Sequence, residues 1–378
     1  MFLNPGRSPY SSKDRDLIGV RHAALVQSLL GSCPAHQPTP LVSLTASAAD
    51  CGLAGLHVKA EWARMGLSSF KALGGGYAVA LLVLARAEAA LGRTIAPQEL
   101  TSPEVRAIAQ GVTVTCASAG NHGLGVAAAA RVFGSQAVVF LCESVPESFA
   151  IRLRHRGAVV TRAGATYEDS MAHAAKAAER FGWVLAPDSS WPGYTQTALE
   201  VMRGYTVLLQ EAADTLEAAG GPASHVFVQA GIGGLAGAAA SYLRDRWGEA
   251  FKFIVVEPEG SPCLLQSARE GRPTHVTGGV TTLGRLDCSE PSLLAFELLS
   301  RLADAFMLIT DAQAEAAASR LNGQGANVSA CGAAGAAGLF ALCGDPAARR
   351  TLDFDAKARV LLIGTEAAEI FIAPGESK

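Results

Sequence analysis

This chain of 378 residues is short of charge, of aromatic rings and of paired cysteines. Charged side chains make up 17% and the formal net charge is −3, which excludes the basic surface that nucleic acid or an anionic membrane would need. Aromatics are only 6%, so the core must be built chiefly from Ala, Val and Leu. Of the eight cysteines, Cys33, Cys51, Cys116, Cys142, Cys263, Cys288, Cys331 and Cys343, no two form a CxxC pair, and the usual spacing of a metal site is missing. Small buried thiols in a reducing compartment are the expectation. The opening MFLNPGRSPYSSKDRD has no apolar signal core, and no run is expected to reach the ~20 apolar residues of a membrane span. The expectation is a cytoplasmic protein with neither membrane nor nucleic acid as partner.

Glycine, in contrast, is abundant at 40 residues, and 49% of the chain is hydrophobic. Many glycines among Ala, Val and Leu suit an α/β enzyme whose tight turns approach a ligand. Short β-rich runs read as buried strands: VTVTC (112–116), AVVFLC (137–142), AVVTRA (158–163), HVFVQA (225–230), FKFIVVEP (251–258) and ARVLLIGT (358–365). Between them HGLGVAAAARVFG, YEDSMAHAAKAAERFG, GLAGAAASYLRDRWG and SLLAFELLSRLADAF carry helical apolar spacing. Such alternation predicts open, mostly parallel sheets with flanking helices. Breaks near 70–77 and 185–200 predict two lobes: a large domain of residues 1–76 and 200–378, and a smaller inserted domain of residues 77–199.

Three motifs carry chemistry. Ser69-Phe70-Lys71 puts one lysine at the head of an apolar helix, followed by Gly74, Gly75 and Gly76. A cation is disfavoured at a helix N-terminus and in apolar surroundings, so the expectation is a neutral, nucleophilic amine, with glycines that admit a flat cofactor and neighbouring backbone. Ser118-Ala119-Gly120-Asn121-His122 is a small polar turn between strand and helix, suited to an anion. Gly231-Ile232-Gly233-Gly234-Leu235 follows a strand and opens a helix, a phosphate cradle by the same physics. A dinucleotide site would look similar, but the third glycine of GxGxxG falls at Ala236. Taken singly, each has an ordinary reading as a solvated lysine or a plain strand-to-helix loop. In this order they supply an amine, polar ring contacts and phosphate donors, the needs of pyridoxal phosphate.

The ordered set resembles the fold-type II pyridoxal-phosphate enzymes, the tryptophan synthase β-like group that includes the serine and threonine dehydratases. Within that group HVKAEWARMGLSSFKALGGGYA (57–78), APDSSWPGYTQTALEVMRGY (186–205) and THVTGGVTTLGRLDCSEPS (274–292) are similar to the diaminopropionate ammonia-lyases. The resemblance implies an α,β-elimination, first of 2,3-diaminopropionate to pyruvate and ammonia, with dehydration of a 3-hydroxy amino acid such as serine, threonine or a bulkier analogue as the alternative. It implies that Lys71 holds the cofactor as a Schiff base and then moves the α-proton. It also implies that Asn121 meets the ring hydroxyl, that residues 231–235 bind phosphate and that Thr365 partners the pyridine nitrogen. Asp188 would hold the β-ammonium. Ser118, Ala119, Gly120 and His122 would face the substrate, and a homodimer is the family habit. Ala119 stands where the ammonia-lyases carry an aspartate that acts on the D-isomer, so the resemblance implies either restriction to the L-isomer or a different amino acid.

Overall fold

The computed structural model describes residues 1–118, 120–277 and 279–368. Eleven strands occupy these segments: β1 (Phe2–Leu3), β2 (Leu41–Ser43), β3 (Gly55–Ala60), β4 (Thr113–Ala117), β5 (Gln136–Leu141), β6 (Val159–Arg162), β7 (Val184–Leu185), β8 (His225–Gln229), β9 (Lys252–Pro258), β10 (Ala305–Ile309) and β11 (Arg359–Gly364). They form a seven-stranded sheet in the order β1-β10-β9-β8-β11-β3-β2 and a four-stranded sheet in the order β6-β5-β4-β7. Every pairing is parallel except those of the two edge strands, β1 with β10 and β2 with β3. The central strands are buried on both faces and are mostly apolar, with polar residues such as Gln229 and Glu257 only near their ends, as crossover helices on both sides require. β1 and β2 are two and three residues long, too short to show a period, and carry no comparable signal.

Helix Lys71–Leu91 packs between helices Asn121–Phe133 and Gln196–Gly204. Its glycines make that possible. A Cβ on Gly75 would stand 2.9 Å from the Val126 amide, and one on Gly125 would stand 2.9 Å from the Lys71 carbonyl. Gly74 is pressed against Val201 and Tyr205, and Gly76 against Leu30. The three glycines therefore admit neighbouring helices, and the space for a flat cofactor that the sequence suggested is not beside them. The same helix corrects a second expectation. By length and composition its 21 residues suffice to cross a membrane, and 61% of its most apolar window is buried inside the protein. A third correction concerns SLLAFELLSRLADAF: the helix ends at Leu302, and Ala305 and Phe306 already belong to β10.

Candidate active site

Lys71 is the first residue of its helix, and its approach is fixed by the far end of β11. The Phe70 amide donates to the Thr365 carbonyl at 3.1 Å, the Ala367 amide to the Ser68 carbonyl at 3.0 Å, and Ser69 bridges to Glu366. The turn is tight: Met65 and Ser68 both take positive φ, 52° and 59°. The Lys71 Nζ then donates to Asp188 Oδ2 at 2.6 Å. Burial alone would lower the amine, but the Asp188 carboxylate, by charge and hydrogen bond, reverses this and holds it above the ordinary lysine value. The neutral amine expected from the helix N-terminus is thus overturned: a carboxylate in contact outweighs half a dipole charge and a partly apolar wall. Burial pushes Asp188 the other way, yet the Lys71 charge carries its carboxyl well below the usual range.

Asp188 belongs to a locked turn. Trp191 and Tyr194 stack at 5.0 Å with planes 15° apart across Pro192-Gly193, and Tyr194 Oη donates back to the Leu185 carbonyl at 2.7 Å. Ser190 and Ser292 share a hydroxyl hydrogen bond of 2.7 Å, and the Ser292 amide donates to the Ile232 carbonyl at 3.0 Å. Two serines thereby tie the Asp188 turn to the glycine loop. His122, 1% exposed, meets the Ala186 carbonyl with Nε2 at 2.7 Å. Burial keeps its imidazole below the usual histidine value, so it is neutral and fixes the chain just before Asp188.

On the opposite side Asn121 Nδ2 donates to Glu366 Oε2 at 2.6 Å, and Ser329 Oγ donates to Glu366 Oε1 at 2.8 Å. Thr365, 5% exposed, accepts from Gln229 Nε2 at 2.9 Å, which leaves the threonine hydroxyl its own proton to donate. Ser118 Oγ accepts the Gly120 amide at 3.3 Å, and Gly120 faces the Arg285 side chain. Ala119 lies outside the described residues.

The glycine loop joins β8 to helix Gly234–Trp247, and Gly233 sits at φ 90°, where a side chain would be strained. A Cβ on Gly231 would lie 2.8 Å from Cys288 Sγ, whereas one on Gly234 would meet nothing nearer than 3.8 Å, at the Asp188 carbonyl and Met202. The loop is therefore tightly packed at Gly231 and less so at Gly234, where the helix N-terminus comes into van der Waals contact with the Asp188 backbone. An amine, an amide, a hydroxyl and a glycine loop at a helix N-terminus are the groups that pyridoxal phosphate needs, and these residue types fit it. The sequence reading missed Glu366, Gln229, Ser190 and Ser292. Two of these left a signal: Gln229 ends the strand beside the glycine loop, and Glu366 follows Thr365 directly.

Residues 33–366 match the family described as pyridoxal-phosphate dependent enzyme. The diaminopropionate ammonia-lyase of Salmonella typhimurium is 34% identical over 348 residues, 88% of this chain and 86% of that protein. Among solved structures, Escherichia coli diaminopropionate ammonia lyase in complex with D-serine aligns with a TM-score of 0.86 at 28% identity, covering 97% of this chain and 93% of that one. The same enzyme in complex with an aminoacrylate-PLP azomethine reaction intermediate gives 0.85 at 28% identity, over 97% and 92%. Its two mostly parallel sheets carry fold type II, and by the shared span this chain belongs to the pyridoxal-phosphate dependent enzymes, with pyridoxal phosphate as its cofactor.

Proposed function

We propose that this enzyme is an ammonia-lyase that converts 2,3-diaminopropionate and water to pyruvate and two ammonia. The observation that carries the reading is the 2.6 Å contact between Lys71 Nζ and Asp188: the site holds a carboxylate seated to receive an ammonium. In this reading Lys71 is the covalent anchor, and its amine, once released, takes the α-proton. Bound pyridoxal phosphate supplies the electron withdrawal that acidifies that Cα–H. Asp188, freed of Lys71, holds the substrate β-ammonium and keeps it protonated as it leaves. Residues 231–235 hold the phosphate by backbone N–H groups, Asn121 meets the ring hydroxyl, and Thr365 donates toward the ring nitrogen. Ser118 and Gly120 face the substrate carboxylate, with His122 holding the chain behind them.

The proposal extends to organisation. Residues 77–199 form the smaller domain and 1–76 with 200–378 the larger, and the enzyme works as a cytoplasmic homodimer, the commonest symmetric assembly. The test is the ratio of ammonia to keto acid released from L-2,3-diaminopropionate, beside L-serine and L-threonine. Two ammonia per pyruvate, formed faster than keto acid from either hydroxy amino acid, supports the lyase. One ammonia per keto acid, seen only with a hydroxy amino acid, makes the enzyme a dehydratase instead.

A further inference from the structure

Residues 281–292 cross both loops of the site, and the proposed reaction does not use their one cation, Arg285. The backbone is pinned on either side of it. Asp311 accepts the Thr281 hydroxyl and the Thr282 amide, each at 2.6 Å, and Asp287 accepts the Ser261 hydroxyl at 2.6 Å. Held there, the Arg285 carbonyl lies against the glycine loop, 3.3 Å from where a Cβ on Gly231 would stand. The side chain lies against the polar turn, with Cδ 3.9 Å and Nε 4.0 Å from where a Cβ on Gly120 would stand. Nε is 3.7 Å from Glu366 Oε2, on the carboxylate that also accepts from Asn121. The guanidinium carbon is 5.8 Å from the Phe149 ring centre, and that of Arg152 is 5.8 Å from the same ring. The Arg285 side chain is 28% exposed, so it borders the site without being sealed in the core.

We propose that Arg285 is a specificity-determining residue that binds the α-carboxylate of the amino-acid substrate beside Gly120. This rests on the reading above, in which Ser118 and Gly120 face that group. The turn by itself offers neutral donors, a hydroxyl and backbone N–H groups. A guanidinium adds a full charge and a planar fork that matches two carboxylate oxygens. Contact with Glu366 and Phe149 restricts the arginine before substrate arrives, so less side-chain freedom is lost on binding. Glu366 offsets part of the charge in the empty site, and Arg152, on the same ring, adds to the positive field that draws an anion inward. Asp188 and Arg285 thus divide the substrate between them, the first taking the β-ammonium and the second the α-carboxylate. The site accepts α-amino acids and discriminates against their amides and esters, whatever the β-substituent.

The test is binding of L-alanine and L-alaninamide to the holoenzyme, followed by calorimetry and by cofactor absorbance. Both ligands carry the α-amine and neither has a β-leaving group, so the outcome is independent of whether the enzyme is a lyase or a dehydratase. The wild type should bind L-alanine about tenfold more tightly than the amide. Arg285→Met should remove that preference, weakening L-alanine about tenfold and leaving the amide within about twofold; Arg285→Lys, which keeps the charge and loses the fork, should fall between. A variant-free measurement addresses the same residue: L-alanine should protect Arg285 of the wild type from phenylglyoxal, mapped by peptide, and L-alaninamide should not. A wild type that binds the two ligands alike, an Arg285→Met variant that weakens both equally or neither, or an Arg285 that L-alanine leaves unprotected would overturn the proposal.

Discussion

Lys59 and Lys71 sit twelve residues apart in the segment 57–78, both flanked by apolar side chains and both bonded to a carboxylate. Lys59, fully buried on β3, donates to Glu211 and Thr39, and Arg64 bonds Glu61 and Glu211 in the same cluster. Burial there outweighs Glu61 and Glu211, and the Lys59 amine falls below its ordinary value. At Lys71 burial again pulls the amine down, but the Asp188 charge and hydrogen bond, with the nearby Glu366 charge, together exceed it and raise the amine. The first lysine is spent on internal hydrogen bonds that join β3 to Thr39 and to helix Thr206–Ala218. The second meets one carboxylate and keeps 26% of its side chain exposed. A buried amine with every donor satisfied is part of the scaffold; one with a single exchangeable partner is available for chemistry.

Breaking each lysine's partnership separates the two roles. Lys71→Ala should lower turnover by about four orders of magnitude or more with the Tm little changed, and the cofactor absorbance should become removable by dialysis. Glu211→Gln should do the reverse. It leaves Lys59 and Arg64 to share Glu61, and should cost about 3 kcal/mol in denaturant unfolding while the folded fraction keeps its activity. Asp188→Asn should reduce turnover of 2,3-diaminopropionate about 100-fold, with a smaller loss on L-serine, whose β-substituent carries no charge. Equal losses on both substrates would remove the β-ammonium role.

The smallest effect is in alkali, in the cofactor-free protein. The raised Lys71 contributes stability in full below its unfolded value of about 10.4, and loses it as pH rises through the higher folded value. The depressed Lys59 has the opposite sign: between its folded value and about 10.4 the unfolded chain binds more protons, so stability gains with pH. Urea titrations of Lys71→Met and Lys59→Met across that range should flatten a fall in the first and a rise in the second. On the acid side, Asp188 contributes stability above about 3.9 that is lost as pH falls through its depressed folded value.

Much of the architecture is local and was legible. Each strand named from its apolar run appears within a residue or so of its expected bounds, because short runs rich in Val, Ile, Leu and Phe suit a pleated sheet covered by helices. The helix from 292 was read too long because Leu-Ala-Asp-Ala-Phe continues its apolar spacing; pairing with β9 claims those last residues for β10. The glycine loop was visible because a strand, a run of glycines and a helix are contiguous. What the loop is tied to was not, since Ser190 and Ser292 lie 102 residues apart.

By itself, then, the sequence determined the alternation of strands and helices, the lysine at a helix head and the glycines of the cradle, each set by neighbours within a few residues. Tertiary structure decided the charge state of Lys71, through a carboxylate 117 residues away, and the Asn121–Glu366 contact across 245. It also decided that Gly74 to Gly76 receive helices rather than a cofactor. Propensity and apolar period act along the chain, but the field at an amine and the space beside a glycine depend on whatever the fold brings next to them, and no local pattern encodes that.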